Sequence, residues 1–136
     1  MLKARLGEEA VEASRAERGP RYDCPKCRNE VILKAGRIKI AHFAHKPPTD
    51  CTWAKGETIA HLLAKSVLAE AMRKRGIRAE VEFVIEALPN DRRTDVAVWL
   101  RDNVVAVEFQ HTPISLDEIE ARSLADLRPA NSSRFG

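Results

Sequence analysis

A group of five cysteine and histidine residues between positions 24 and 51 constrains this chain more than any other feature. Cys24 and Cys27 form a Cys-Pro-Lys-Cys knuckle, which is followed by two histidines in the stretch AHFAH and then by Cys51. Zinc is held by four nitrogen or sulfur ligands in a tetrahedron, and short spacings bring pairs of ligands together. The pattern therefore predicts a structural zinc site in preference to three unconnected buried cysteines.

Five candidates compete for four ligand positions. His42 and His45 have opposite parity on a strand, so one ion is not expected to contact both. His45 is closer to Cys51 and is the predicted ligand, with His42 as the alternative. A module of about 30 residues has too little core to fold alone, so the metal would contribute folding energy. An odd number of cysteines and no secretory signal indicate reduced thiols and a cytoplasmic protein.

Charge is distributed unevenly along the chain. Residues 21–55 carry eight basic and three acidic side chains, whereas residues 81–136 carry six basic and ten acidic ones. This pattern suits a polyanion at the first segment and a cation at the second. The alternative is a solvated surface on which the charges cluster by chance, and this would give the same charge distribution. The candidate phosphate contacts are Lys26, Arg28, Lys34, Arg37 and Lys39.

The first part of the chain divides at Gly19-Pro20. Residues 1–20 mix Ala, Glu and Arg, which favours a helical or frayed segment that ends at this pair. Residues 21–55 form the predicted zinc-ribbon-like module. Within it, the β-prone runs 31–33 and 38–40 flank Ala35-Gly36, which is typical of a hairpin.

The remaining residues, 56–136, are expected to form a second domain. Residues 57–75 predict one long helix that ends at Gly76. Three strand patterns follow, namely AEVEFVIEAL, RTDVAVWL and VVAVEFQ. A last helix begins near Ser115, which forms a capping box with Glu118. The predicted order is α, β, β, β, α. No apolar run is long enough for a membrane span, so no membrane partner is expected.

Charged and amide side chains interrupt the last two strand patterns. If Asp102 and Asn103 form the turn between these strands, Asp95 lies opposite Gln110 and shares a sheet face with Glu108. Two carboxylates on one face need a neutralising group, which a hard cation such as Mg²⁺ provides. The alternative is a solvated sheet edge, or pairing with Arg92 or Arg93.

These motifs together resemble the CoiA-like competence protein family. The matching text is YDCPKCRNEVILKAGRIKIAHFAHK with Cys51, then GETIAH, RRTDVAV and VAVEFQHTPIS. The resemblance implies an N-terminal zinc-ribbon-like module followed by a restriction-endonuclease-like domain of the PD-(D/E)XK nuclease superfamily. It places the superfamily's helix Glu, strand Asp and Glu-x-Lys at Glu57, Asp95 and Glu108 to Gln110.

The resemblance further implies a Mg²⁺- or Mn²⁺-dependent deoxyribonuclease that processes DNA in natural competence or recombination. Gln110 departs from the superfamily's lysine and carries no charge. The predicted fold class is α+β or α/β. The pattern is lost near the end of the chain, so the core is expected to lack the superfamily's final strand. The rival interpretation is a non-catalytic, zinc-stabilised DNA-binding accessory protein on a degenerate nuclease fold.

Overall fold

A computed structural model describes residues 1–54, 57–85, 92–110 and 115–126. The chain divides into two compact units, residues 1–63 and 64–136. The architecture is α+β, which is one of the two fold classes that the sequence predicts. The three-part division at residues 20 and 55 stays a prediction.

The first unit is built on a five-stranded antiparallel sheet with the strand order β2-β1-β3-β4-β5. The strands are β1 (Lys3–Leu6), β2 (Glu9–Glu12), β3 (Tyr22–Asp23), β4 (Glu30–Lys34) and β5 (His42–His45). Short 3₁₀ helices cover Ala13–Arg15 and Thr52–Ala54. The core includes Tyr22, Val31 and Phe43, and the Tyr22 and Phe43 rings lie 5.1 Å apart. Cys24 is part of this core, so the predicted metal site adjoins the packed interior.

The expectation of a helical or frayed N-terminus is wrong. Residues 3–12 form a β-hairpin, with Gly7 at a φ of 63° in its turn. Arg5 pairs with Asp23 of β3, which adds the hairpin to the sheet. Burial of Ala4 in the core therefore overrides the weak local helix preference of this Ala- and Glu-containing segment.

The hairpin predicted between residues 31 and 40 forms, but its second strand begins later. β4 pairs with β5, and Leu33 lies opposite Phe43. Both side chains are buried, which fixes the register. The β-prone run 38–40 instead belongs to the connecting loop, residues 35–41.

The long predicted helix is present as α1 (Ile59–Lys74). The Thr58 hydroxyl accepts a hydrogen bond from the His61 amide at 3.1 Å, which caps the first turn. Gly76 has a φ of 74° and its amide donates to the Arg73 carbonyl at 2.9 Å. This left-handed glycine ends the helix, as its position in the sequence predicts.

The second unit contains an antiparallel sheet with the order β6-β7-β8. Its strands are β6 (Ala79–Ile85), β7 (Arg92–Leu100) and β8 (Asn103–Val107). The predicted β7–β8 register is wrong by two residues, because Leu100 pairs with Asn103 and the turn is Arg101-Asp102. Arg101 adopts a φ of 54°, a conformation that its residue type does not signal. A shift of two residues preserves the sheet faces.

The final helix, α2 (Leu116–Asp126), starts with the predicted capping box. The Glu118 amide donates to the Ser115 hydroxyl at 3.2 Å, and the Ser115 amide donates to Glu118 Oε2 at 2.9 Å. The order α, β, β, β, α is thus confirmed. The predicted lack of a final strand concerns residues after 126, which lie outside the described part. Among the described residues, no helix is long and apolar enough to cross a membrane.

Candidate metal centre and active-site residues

The structure brings Cys24, Cys27, His45 and Cys51 together. Cys24 and Cys27 follow β3, His45 is the last residue of β5, and Cys51 directly precedes a 3₁₀ helix. One ligand atom from each residue lies within 4.8 Å of all the others. All three cysteines are free thiols. Residues distant in sequence therefore meet at one end of the β4–β5 hairpin.

The spacing of these atoms fits a tetrahedral zinc site. Zinc binds cysteine sulfur at about 2.3 Å and histidine nitrogen at about 2.0–2.1 Å, so ideal S–S and S–N separations are about 3.8 and 3.6 Å. The Cys24 and Cys51 sulfurs are 3.9 Å apart, and Cys27 Sγ lies 3.6 Å from His45 Nε2. The cluster can bind zinc with little rearrangement.

Backbone hydrogen bonds shape the cysteine knuckle. The Cys24 amide donates to the Asn29 carbonyl at 2.9 Å, and the Arg28 amide donates to the Cys24 carbonyl at 3.0 Å. The Lys26 amide points to Cys24 Sγ at 3.4 Å. Such bonds orient the sulfur before any ion binds, which is the role of an outer shell in metal sites.

The two knuckle thiols differ in acidity. Burial raises the pKa of the Cys24 thiol to about 11, which favours its protonated form in the metal-free protein. Burial also acts to raise the pKa of Cys27, but hydrogen bonds, first from the Asn29 backbone, lower it overall. Zinc binds thiolates, so metal binding at Cys24 must release a proton.

His42 lies outside this cluster. Its Nδ1 is 2.9 Å from the Ile40 carbonyl oxygen. His42 and His45 stand three residues apart on β5 and so lie on opposite faces of the strand. Of the two histidines, only His45 is placed to serve as a ligand in this cluster.

The five predicted phosphate contacts all have exposed side chains: Lys26, Arg28, Lys34, Arg37 and Lys39. Lys26 also lies over the Trp53 ring at 5.9 Å from the ring centroid. Trp53, like Cys27 and Cys51, is partly buried and packs against the core of the first unit. The basic residues are thus accessible to solvent, whereas Trp53 serves mainly as a packed aromatic side chain.

Asp95 and Glu108 lie side by side on adjacent chain segments. Val96 pairs with Val107, and continuing this register by one residue sets Asp95 opposite Glu108. Asp95 Oδ2 accepts a hydrogen bond from the Phe109 amide at 2.8 Å. Arg92 Nη2 donates to Glu108 Oε1 at 2.6 Å. The pairing with Arg92 that the sequence offered as an alternative is therefore present.

The other two predicted catalytic residues are Gln110 and Glu57. β8 ends at Val107, and Gln110 is exposed three residues later. Glu57 belongs to the first unit, where its carboxylate lies 3.7 Å from the Met1 amino group and 3.9 Å from His61 Nε2. Within the described part of the second unit, no group of three carboxylate, cysteine or histidine side chains is as close as the Cys/His cluster. The catalytic assignments stay predictions.

A buried ion pair that was not predicted from the sequence lies beside Asp95. Lys65 Nζ lies 2.8 Å from Glu82 Oε2, and Arg93 Nη1 lies 3.7 Å from Glu82 Oε1. β6 pairs with β7 on both sides of Glu82, which places Glu82 opposite Asp95, with a φ of 51°. Burial acts to raise the pKa of Glu82, but the charges of Lys65 and Arg93 outweigh it and lower that pKa.

The signal for this pair was present in the helix. Leu62, Lys65 and Ala69 follow one helical stripe, and all three are buried. A lysine on an apolar stripe requires a buried partner. Nothing in the sequence alone identifies Glu82 as that partner, because its alternation with Val81 and Phe83 is typical of a solvent-facing strand position.

Comparison with known proteins gives a consistent result along the chain. The family model for the N-terminal domain of competence protein CoiA matches residues 5–54, and the model for its nuclease-like domain matches residues 57–125. Competence protein CoiA of Bacillus subtilis (strain 168) is 30% identical over 104 residues. That match covers 76% of this chain but 27% of the relative, so the chain spans about a quarter of its length. No solved structure matches.

Proposed function

The chain belongs to the CoiA family of competence proteins, and on that basis we propose that it is a metal-dependent nuclease that hydrolyses DNA phosphodiesters. Its residues 57–125 match a nuclease-like domain. The proposal includes a structural zinc ion at Cys24, Cys27, His45 and Cys51 and a catalytic Mg²⁺ or Mn²⁺ at Asp95 and Glu108. DNA processing during competence is the corresponding biological role.

The observation that carries the proposal is the adjacency of Asp95 and Glu108 within the nuclease-like domain. Their register sets two carboxylates opposite each other, and like charges so placed destabilise a sheet unless a cation neutralises them. Carboxylate oxygens are preferred ligands of Mg²⁺. The donor chemistry of this pair fits the proposed ion, while Arg92 neutralises Glu108 without it.

Each group of proposed site residues has its own role in the proposed reaction. A bound Mg²⁺ supplies charge neutralisation at the phosphate and lowers the pKa of a water nucleophile. Asp95 and Glu108 would hold the ion, and the Phe109 amide fixes one oxygen of Asp95. Gln110 would orient a water or a phosphate oxygen through its amide, in place of the superfamily's lysine. Lys26, Arg28, Lys34, Arg37 and Lys39 would bind the DNA backbone.

One observation favours the non-catalytic alternative. Arg92 donates to Glu108 at 2.6 Å, so a cation already neutralises one of the two proposed metal ligands. A degenerate nuclease fold would retain such a pair for stability alone. The accessory-protein interpretation then predicts DNA binding without a Mg²⁺ or Mn²⁺ site.

Titration with Mn²⁺ separates these two proposals. Calorimetry on zinc-loaded protein should detect a Mn²⁺ site that Asp95→Asn and Glu108→Gln both remove. Arg92→Gln removes the competing cation and should tighten Mn²⁺ binding by about two- to fivefold, the range expected for a partly exposed ion pair. Asp102→Asn, in the exposed turn of the same hairpin, is the matched control. Absence of a Mn²⁺ site in the wild-type protein would support the accessory role.

A further inference from the structure

The loop between β4 and β5 carries the most exposed large apolar side chain in the described part of the chain. Ile38 is 97% exposed, and its neighbours Arg37 and Lys39 are also exposed. Single exposed apolar residues are common on proteins, so Ile38 alone implies nothing. The basic residues around Ile38 are what make it a candidate contact for a partner.

The segment around Ile38 contains no acidic residue from position 31 to position 49. Lys34, Arg37 and Lys39 form no ion pair within the described residues. By contrast, Lys46 pairs with Glu30 at 2.7 Å and Arg21 with Asp23 at 2.9 Å. The loop therefore combines uncompensated positive charge with one projecting aliphatic side chain, which suits an anionic partner that has an apolar interior.

The base of this loop is firmly held. Lys34 pairs with His42 at the end of the hairpin, and the preceding pair, Leu33 and Phe43, is buried. The Arg18 guanidinium donates to the Ala35 carbonyl oxygen. These contacts hold both ends of the loop in place, which reduces the conformational entropy that the loop loses on binding.

Nucleic acid fits this surface better than a protein or a membrane. One isoleucine is far smaller than the apolar core of a protein interface and too small to anchor a chain in lipid. Proteins that bend DNA insert single apolar side chains, isoleucine among them, between base steps while basic residues hold the phosphates. On the basis of the proposed DNA binding, we infer that Ile38 inserts between bases of duplex DNA. Lys34, Arg37 and Lys39 contact the phosphate backbone of the same duplex.

The energetics of insertion predict which DNA is preferred. Burying one isoleucine side chain stabilises a complex by about as much as unstacking one base step costs. The net free energy of insertion into a fully paired, stacked duplex is then close to zero. It becomes favourable where stacking is already weakened, as at a mismatch or at a flexible pyrimidine–purine step. The loop should therefore select distorted duplexes.

Fluorescence anisotropy on the zinc-loaded chain tests this inference with two duplexes, one fully paired and one with a central mismatch. A 2-aminopurine next to the mismatch reports unstacking. Wild-type protein should bind the mismatched duplex about tenfold more tightly and increase the 2-aminopurine signal. Ile38→Ser should abolish both the preference and the signal, whereas Ile38→Leu should retain them. Ile32→Ser, at a 42% exposed position on β4, is the matched control and should behave as wild type.

Three results would overturn the inference in different ways. If wild type and Ile38→Ser bind both duplexes equally, with the usual salt dependence, insertion is wrong and the proposed DNA binding stands. If the wild type binds neither duplex at low salt, the DNA-binding proposal itself fails. Binding to anionic vesicles that depends on Ile38, without a DNA preference, would assign the loop to a membrane surface instead.

Discussion

Lys65 and Glu82 form an ion pair inside the second unit, with Nζ 2.8 Å from Oε2 and side chains that are 1% and 3% exposed. Glu82 lies opposite Asp95 in the β6–β7 register and adopts an unusual φ of 51°. Removing two charges from water is costly, and the pair is stable only because each ion has its partner. This relationship leads to two predictions about stability.

Breaking the pair should be far more harmful than removing it. Lys65→Met leaves Glu82 buried without its main counterion and should lower the free energy of unfolding by about 3–5 kcal/mol. The double change Lys65→Met/Glu82→Leu should be neutral or stabilising. Lys46→Met, which breaks an exposed pair, is the control and should cost no more than about 1 kcal/mol. Urea unfolding measures all three, and equal losses for Lys65→Met and Lys46→Met would contradict the assignment.

The same pair predicts a dependence of stability on pH. The pKa of Glu82 is lowered in the folded protein, mainly because the charges of Lys65 and Arg93 outweigh the effect of burial. Its contribution is therefore complete above the unfolded pKa of about 4.3 and is lost as pH falls through the lower folded pKa. Unfolding of the wild type at pH 6 and pH 3 should show a larger loss of stability than in Glu82→Gln. Equal losses in the two proteins would contradict the assignment of this pH dependence to Glu82.

The Cys/His cluster predicts about one zinc ion per chain. Cys24→Ser and His45→Asn should each lower zinc content and loosen residues 21–55, because metal binding contributes folding free energy in such modules. His42→Asn is the matched control and should retain the ion, since His42 lies outside the cluster. Metal analysis and hydrogen exchange measure these effects. Full zinc content in His45→Asn and loss in His42→Asn would reverse the ligand assignment.

The exposed basic residues of the first unit predict salt-dependent DNA binding. Replacing Lys34, Arg37 and Lys39 by Gln removes three proposed phosphate contacts. The slope of log K against log salt should become less steep by about 2.7, from roughly 0.9 per contact on duplex DNA. Lys74→Gln, an exposed basic change in the second unit, is the control. An unchanged slope in the triple variant would place the DNA surface elsewhere.

Several features of the fold could be predicted because they depend on local chemistry. Gly76 ends α1 through a left-handed conformation, and Ser115 and Glu118 cap α2 through their own side chains. The Cys-x-x-Cys spacing predicted the cysteine knuckle, and the proximity of His45 to Cys51 in sequence favoured His45 over His42 as the fourth ligand. The two helix signals act within a few residues, whereas the metal site joins residues up to 27 positions apart and was predicted from the chemistry of its ligands.

Other features depend on contacts that no local pattern encodes. The N-terminal hairpin forms because β1 pairs with β3, although residues 1–12 have weak helical preferences. The β7–β8 register is set by Arg101 at a positive φ, where the sequence suggested a turn at Asp102-Asn103. The Lys65–Glu82 pair joins a helix to a strand, so neither residue reveals its partner. All three features depend on tertiary contacts between segments that are distant in sequence or on a backbone conformation that the residue type does not indicate.

DNA cleavage by the zinc-loaded chain in Mg²⁺ or Mn²⁺ tests the proposed function most directly. The wild type should convert supercoiled plasmid to nicked and linear forms, and chelation of the divalent ion should stop the reaction. Asp95→Asn should reduce the rate by at least about 100-fold, because it removes a metal ligand, while Asp102→Asn should leave it unchanged. Cleavage that persists in Asp95→Asn would contradict the nuclease assignment. So would a folded wild-type protein that binds DNA but does not cleave it in the presence of either Mg²⁺ or Mn²⁺.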